Sequence, residues 1–201
     1  RMSKQQLGAL FVCNFVIFTG VSALVSLMPV YLKQLGADSS VTGFFMAALS
    51  LGMALSNVAA GQLSDRIQLR KPFLILGGLL AAPITLMMTG VTSVLVLAVL
   101  MCGLWFVTGI AMTMVNILVG LFSEAGQRGR YFGILSLSVG CGVFFGAFFN
   151  GRIVDRWGYE ALFALLAAFY LVIPAAALLV EDKKIARMSR QAGATALRSV
   201  F

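Results

Sequence analysis

The sequence predicts an all-α integral membrane protein, with six transmembrane helices arranged as a 3+3 inverted repeat. Three observations predict it. Six apolar segments of spanning length follow one another through short polar connections. Lys and Arg are dense in every second connection and sparse in the others. The second three segments repeat the small-residue and charge pattern of the first three at a constant offset.

Composition requires an apolar solvent. The chain has 201 residues, 60% hydrophobic and 11% charged. So few charges do not cover the surface of a soluble domain of this size, whereas a bilayer leaves most of that surface apolar. A spanning helix needs roughly 20 mostly apolar residues, rising about 1.5 Å each through about 30 Å of hydrocarbon.

The segments run about Leu7–Leu32, Val41–Ala60, Pro72–Val91, Val94–Phe122, Tyr131–Asn150 and Ala161–Val180. The first is too long for a signal-peptide core and lacks a small-residue cleavage pattern, so it reads as a true span. Gly, Asp, Ser or a charge punctuates each connection, where the backbone returns to water. Residues 1–182 form the bundle, with repeats about 7–91 and 94–180. Residues 183–201 read as a basic cytoplasmic segment leading towards a second bundle.

Orientation follows from the cations. Arg1, Lys4, Arg66, Arg70, Lys71, Arg128, Arg130, Lys183, Lys184, Arg187, Arg190 and Arg198 fall on one side, and Lys33, Arg152 and Arg156 on the other. The first side is therefore the cytoplasmic one, with both ends of the chain inside the cell membrane.

The repeat is visible at an offset of 90. Gly43, Gly52, Gly61, Asp65, Arg66 and Phe73 recur as Gly133, Gly142, Gly151, Asp155, Arg156 and Phe163. Scattered glycine matches alone could arise by chance. The shared Gly-x-x-x-Asp-Arg block after segments two and five argues for descent from one unit. An odd number of spans separates the copies, so the second lies inverted in the membrane.

Gly61-Gln-Leu-Ser-Asp-Arg-Ile-Gln-Leu-Arg-Lys71 lies between segments two and three. It resembles the major facilitator superfamily signature G-x-L-x-D-R-x-G-R-[RK]-[RK], matching at Gly61, Leu63, Asp65, Arg66, Arg70 and Lys71. Gln68 and Leu69 depart from it. The resemblance extends over essentially the whole chain and implies the amino-terminal six-helix half of such a transporter. In that family the loop gates one state of the alternating-access cycle. On physical grounds, Gly61 admits a close helix neighbour. Asp65, read as lying just before helix three, suits a helix amino terminus, and Arg66, Arg70 and Lys71 suit carboxylates or anionic headgroups. Plain positive-inside topology would account for Arg70 and Lys71 but not for Asp65. The family's antiporters often carry an arginine four residues before a glycine in helix four, where Trp105 precedes Gly109 here. They also often read G-P-x-x-G-G in helix five, where this chain reads Gly142-Val-Phe-Phe-Gly146-Ala147.

No Asp, Glu, Lys or Arg falls within the six segments, so a proton-carrying carboxylate is not in evidence in them. Asn14, Asn57, Asn116 and Asn150 belong to segments one, two, four and five, which in the family face the pathway or the partner bundle. Asn14, Phe18, Ser22 and Ser26 follow at i+4 steps. Trp105, Thr108, Met112 and Asn116 fall at i, i+3, i+7 and i+11. These two faces are the candidate solute cavity. The alternative is that Asn and Ser join helices by hydrogen bonds. Gly133, Gly142 and Gly146 read as helix-packing surfaces.

Other chemistries find little support. The net charge of +8 is spread around spans and does not form a basic patch with interleaved aromatics, so a nucleic-acid partner is not expected. Without histidine, and with Cys13, Cys102 and Cys141 scattered through apolar runs, neither a metal site nor a cofactor is indicated. No nucleophile–base pair suggests an enzyme. Secondary transport of a small organic solute, by efflux, is the expected function. The expected partners are membrane lipids, the solute and a second six-helix bundle, supplied by the same gene product or a second copy. A homodimeric half-transporter and a non-transporting scaffold for proteins or pigments are the rival readings.

Overall fold

The computed structural model describes residues 3–67, 69–124 and 126–180. Arg1, Gln68 and the basic segment 183–201 lie outside the described residues.

The described chain is helical throughout: α1 Lys4–Gln34, α2 Ser39–Ile67, α3 Lys71–Met87, α4 Val94–Phe122, α5 Arg128–Tyr170 and α6 Val172–Leu178. Local chemistry sets the ends. Ser3 caps α1 by accepting a hydrogen bond from the Gln6 amide at 3.1 Å. At the other end Gly36 adopts φ 86°, and two amides close a Schellman motif, Gly36 onto Lys33 and Ala37 onto Leu32. Asp38 then caps α2 by accepting from the Val41 amide at 2.8 Å. Pro72 stands in the first turn of α3, where its missing N–H has no intrahelical role.

Four apolar helical runs are long enough to cross a bilayer: Lys4–Gln34, Ser39–Ile67, Val94–Phe122 and Arg128–Leu178. α3 is apolar but has 17 residues. It ends at Met87, and the chain turns at Gly90 (φ 73°), inside the stretch read from sequence as the third segment. The last run has 51 residues and is broken at Gly158, whose φ of 78° and ψ of 178° are not helical. The fifth and sixth segments expected from sequence fall on either side of that break.

α1 and α4 form the centre. Leu10, Ile17, Leu24, Met28 and Leu32 of α1 and Leu97, Met101, Leu104, Met114 and Leu118 of α4 are almost fully buried. α5 packs along α1, α2 along α4, and α3 lies against α4 and the end of the 128–178 run. α2 buries a narrow stripe: Phe45, Leu49, Ser56, Ala60 and Ser64. Before the break, α5 does likewise through Leu135, Ser138, Gly142, Gly146 and Asn150. Both helices leave broad faces uncovered.

Candidate functional site

The motif begins on α2. That helix continues through Ile67, so Gly61, Leu63, Asp65 and Arg66 are helical, and Asp65 stands in the last turn of α2, not in a loop before α3. This corrects the reading from sequence: apolarity ends near Ala60, but a helix can continue through the headgroup region with its backbone bonds intact. Among the described residues no neighbouring group lies where a Cβ on Gly61 would go. Asp65 and Arg66 are exposed, and among the described residues neither has a hydrogen-bond or ion-pair partner.

The two cations at the α3 end are held firmly. Arg70 is buried and its Nε donates to Ser64 Oγ at 3.0 Å, fastening the start of α3 to the end of α2. The Lys71 Nζ donates to the Leu178 carbonyl at 2.8 Å. That places a cation on the carbonyl end of α6, where the helix dipole favours it.

The helix-one stripe turns towards α5. Asn14 is buried, and its Nδ2 donates to Ser138 Oγ at 2.8 Å and to the Leu135 carbonyl at 3.3 Å. Ser22 donates to the Val143 carbonyl at 3.2 Å, Phe18 is half-buried in the same seam, and Ser26 is exposed. A Cβ built on Gly142 would stand 2.7 Å from the Phe15 carbonyl oxygen, and one on Gly146 2.7 Å from that of Thr19. These two glycines let the backbones of α1 and α5 approach closely. Around Gly133 and Gly61 there is open space. Asn14 and Ser22 therefore join helices in this structure instead of lining an opening.

On α4, Trp105 and Thr108 are buried. Thr108 Oγ1 donates to its own helix at the Leu104 carbonyl, 2.7 Å away, while Trp105 Nε1 is buried without an acceptor among the described residues. Met112 is half-buried. Asn116 is exposed and donates to the Met112 carbonyl at 3.1 Å. The candidate face thus divides into a buried half and an accessible half.

Two further residues extend the accessible half and were not singled out from sequence. Ser50 on α2 and Ser136 on α5 are exposed and bonded only to their own helices among the described residues. Mid-helix exposed polar side chains thus occur on α1, α2, α4 and α5. The exposed face of α3 and of residues 161–178 is apolar. Spacing alone did not separate these serines from the helix-joining Ser22 and Ser138. On this arrangement Asn116→Leu should weaken solute binding several-fold. Thr85→Val on α3 should not, because its hydroxyl is buried and already bonded to the Ala81 carbonyl at 2.7 Å. Equal losses, compared at equal amounts of folded protein, would remove the α4 assignment.

Among the described residues no group of His, Cys, Asp and Glu could hold a metal ion. The helices and their apolar length make this a multi-pass membrane protein. The family model of the Major Facilitator Superfamily matches residues 10–200. The chain is 30% identical over 155 residues to the quinolone resistance protein NorA of Staphylococcus aureus strain COL. It is 29% identical over the same length to that of strain MRSA252. The matched stretch covers 76% of this chain, and the chain spans 39% of the length of these relatives. A match extending from the first turns of α1 beyond the last described helix settles the family: the chain belongs to the Major Facilitator Superfamily.

Proposed function

We propose that this chain is one six-helix bundle of a secondary transporter that exports a small organic solute across the cell membrane by alternating access. The observation that carries the proposal is a crossed pairing of helices. α2 packs on α4 and α5 packs on α1, so each repeat lends its second helix to the first helix of the other. The offset of 90 relates parts of the two seams. Gly109 of α4 meets the Ser56 side chain of α2, and the same offset carries that pair onto Thr19 and Gly146, which also touch. Buried Phe45, Ser56 and Ala60 correspond to buried Leu135, Gly146 and Asn150. Such internal symmetry suits a bundle that rocks against a second one around a fixed site.

On this reading the 51-residue run makes two crossings that meet at Gly158. Unbroken, it would extend about 76 Å, more than twice the hydrocarbon thickness. α3 makes a third crossing of about 25 Å, a mismatch that bilayers absorb at modest cost. The aliphatic faces of α3 and residues 161–178 meet lipid. The faces of α1, α2, α4 and α5 that carry Ser26, Ser50, Asn116 and Ser136 meet the pathway or the second bundle. Outward direction is drawn from the relatives' names, since a resistance protein that exports its drug protects the cell.

Flux of an organic solute by the full-length protein in proteoliposomes tests the function. Absence of gradient-driven flux in well-folded, correctly inserted protein would overturn it. Orientation is tested separately in a cysteine-free background. Cysteines placed at Ser39 and Glu160 should react with impermeant thiol reagents outside intact cells, and cysteines at Leu69 and Gly126 should not. Labelling of the second pair from outside would invert the topology.

A further inference from the structure

α3 is short, and it is fastened along its whole length. Its 17 residues give about 25 Å of helix, roughly 5 Å less than the hydrocarbon of a bilayer. Each of the four long apolar runs exceeds that thickness. A short helix in a membrane can slide, or send long basic side chains to the interface. Neither course is open to α3. At its first turn the Arg70 Nε donates to Ser64 Oγ at 3.0 Å and the Lys71 Nζ to the Leu178 carbonyl at 2.8 Å, so both cations are tied to the protein. Midway, a Cβ built on Gly77 would stand 2.8 Å from the Ala111 Cβ, and one on Gly78 would strike Pro174 and Ile173. These glycines key α3 into α4 and α6. At the far end the chain turns at Gly90, and the Val91 carbonyl accepts from the Tyr31 hydroxyl at 3.0 Å. Exposed Thr92 and Ser93 follow. The uncovered side of this fixed column is aliphatic, with Leu76, Leu79, Leu80, Leu86 and Met87 as its large exposed side chains.

We infer that the exposed face of α3 is a binding surface for phospholipids with short acyl chains, and that the bilayer is thinnest against it. The occupant is set by height. A column that cannot move leaves the lipid to adapt, at a cost that grows with each Å of mismatch. Long chains would spread past the leucines onto Lys71 at one end and Thr92 and Ser93 at the other, or would have to compress. Shorter chains end where the aliphatic column ends. The run beside α3 makes no such demand: residues 161–180 number 20 and rise about 30 Å, the hydrocarbon thickness itself. The inference rests on the reading of α3 as a crossing and goes beyond it in naming the lipid.

The test uses the full-length protein in mixtures of dimyristoleoyl and dioleoyl phosphatidylcholine, with one or the other brominated on its chains. Lipid at each face is read from quenching of an introduced tryptophan, Leu80→Trp on α3 and Leu165→Trp on the neighbouring run, as the difference from the parent protein. Both leucines are exposed, so neither change disturbs the packing. At α3 the shorter lipid should be preferred by about twofold or more, and at Leu165→Trp it should not be. Thr92→Leu with Ser93→Leu lengthens the aliphatic column, and the Ser93 side chain makes no capping bond to α4, so the fold should hold. In that variant the preference at α3 should disappear. Equal preference at both faces, a preference unchanged by the lengthening, or a tryptophan at α3 that neither lipid quenches would overturn the inference. Solute flux is measured on the same preparations. Flux without a chain-length preference at α3 overturns this inference alone, and the preference without flux overturns the transport reading alone.

Discussion

Valine at Gly142 and Gly146 together is expected to separate α1 from α5 and to cost the full-length protein most of its thermal stability in detergent. At both positions the obstacle is backbone: the Phe15 carbonyl oxygen and Thr19 amide on one side of the crossing, and the Thr19 carbonyl oxygen on the other. Backbone atoms of a helix cannot rotate aside, so the helix axes must part. Overpacking of this kind costs about 1–3 kcal/mol per site. Parting the helices also stretches the bonds from Asn14 to Ser138 and from Ser22 to Val143. Interhelical hydrogen bonds of this sort average about 0.6 kcal/mol in membrane proteins, a smaller loss than the steric one. Gly109→Ala should cost less, because what it meets is the Ser56 side chain, and Ser56→Gly in the same chain should restore stability. Gly133→Val, with open space around it, is the control. Equal loss at Gly133 and Gly146, measured by thermal unfolding, would show that glycine matters here for the helix itself and not for the crossing.

How much of this was legible in sequence depends on what each feature answers to. The apolar segments answer to the bilayer, whose thickness demands long uncharged runs, so their positions could be read directly. Their ends could not. α2 keeps its helix from Ala60 to Ile67 through polar residues, because backbone bonds hold in the headgroup region after hydropathy has changed. The partner of a polar stripe was also hidden. Asn14, Phe18 and Ser22 repeat at i+4 whether they face an opening or another helix, and only the close approach permitted by Gly142 and Gly146 decides it. The offset of 90 pairs Gly52 with Gly142 in the letters, yet among the described residues nothing lies within 4 Å of a Cβ on Gly52, whereas one on Gly142 meets α1. The contacts that the offset of 90 does relate, Ser56 with Gly109 and Gly146 with Thr19, involve different residues at the paired positions.

Asp65→Asn is expected to leave the bundle folded and to slow transport severely. The carboxylate is exposed in the last turn of α2. That is the negative end of its own helix, where an anion is disfavoured by about 0.3–1 kcal/mol. Among the described residues it has no compensating hydrogen bond or ion pair. Removing the charge should therefore cost the isolated bundle nothing, and unfolding temperature should hold steady or rise slightly. If the motif gates, as its resemblance implies, the partner of Asp65 is a helix amino terminus or a cation on the second bundle, met in one conformational state only. A partly buried contact of that kind is worth up to about 2 kcal/mol, and at about 1.4 kcal/mol per factor of ten its loss shifts the state equilibrium by up to about thirtyfold. The variant should bind solute, turn over slowly and expose cytoplasmic cysteines more often. Asp155, its counterpart in the repeat, should tolerate the same change better, because the motif likeness there stops at Gly-x-x-x-Asp-Arg. The decisive measurements are transport and cysteine accessibility at Leu69 and Gly126 in both variants. Unchanged transport and accessibility in Asp65→Asn would reduce the motif to a topology signal. A fall in unfolding temperature comparable to the loss of transport would assign Asp65 to the fold of this bundle instead of to its movement.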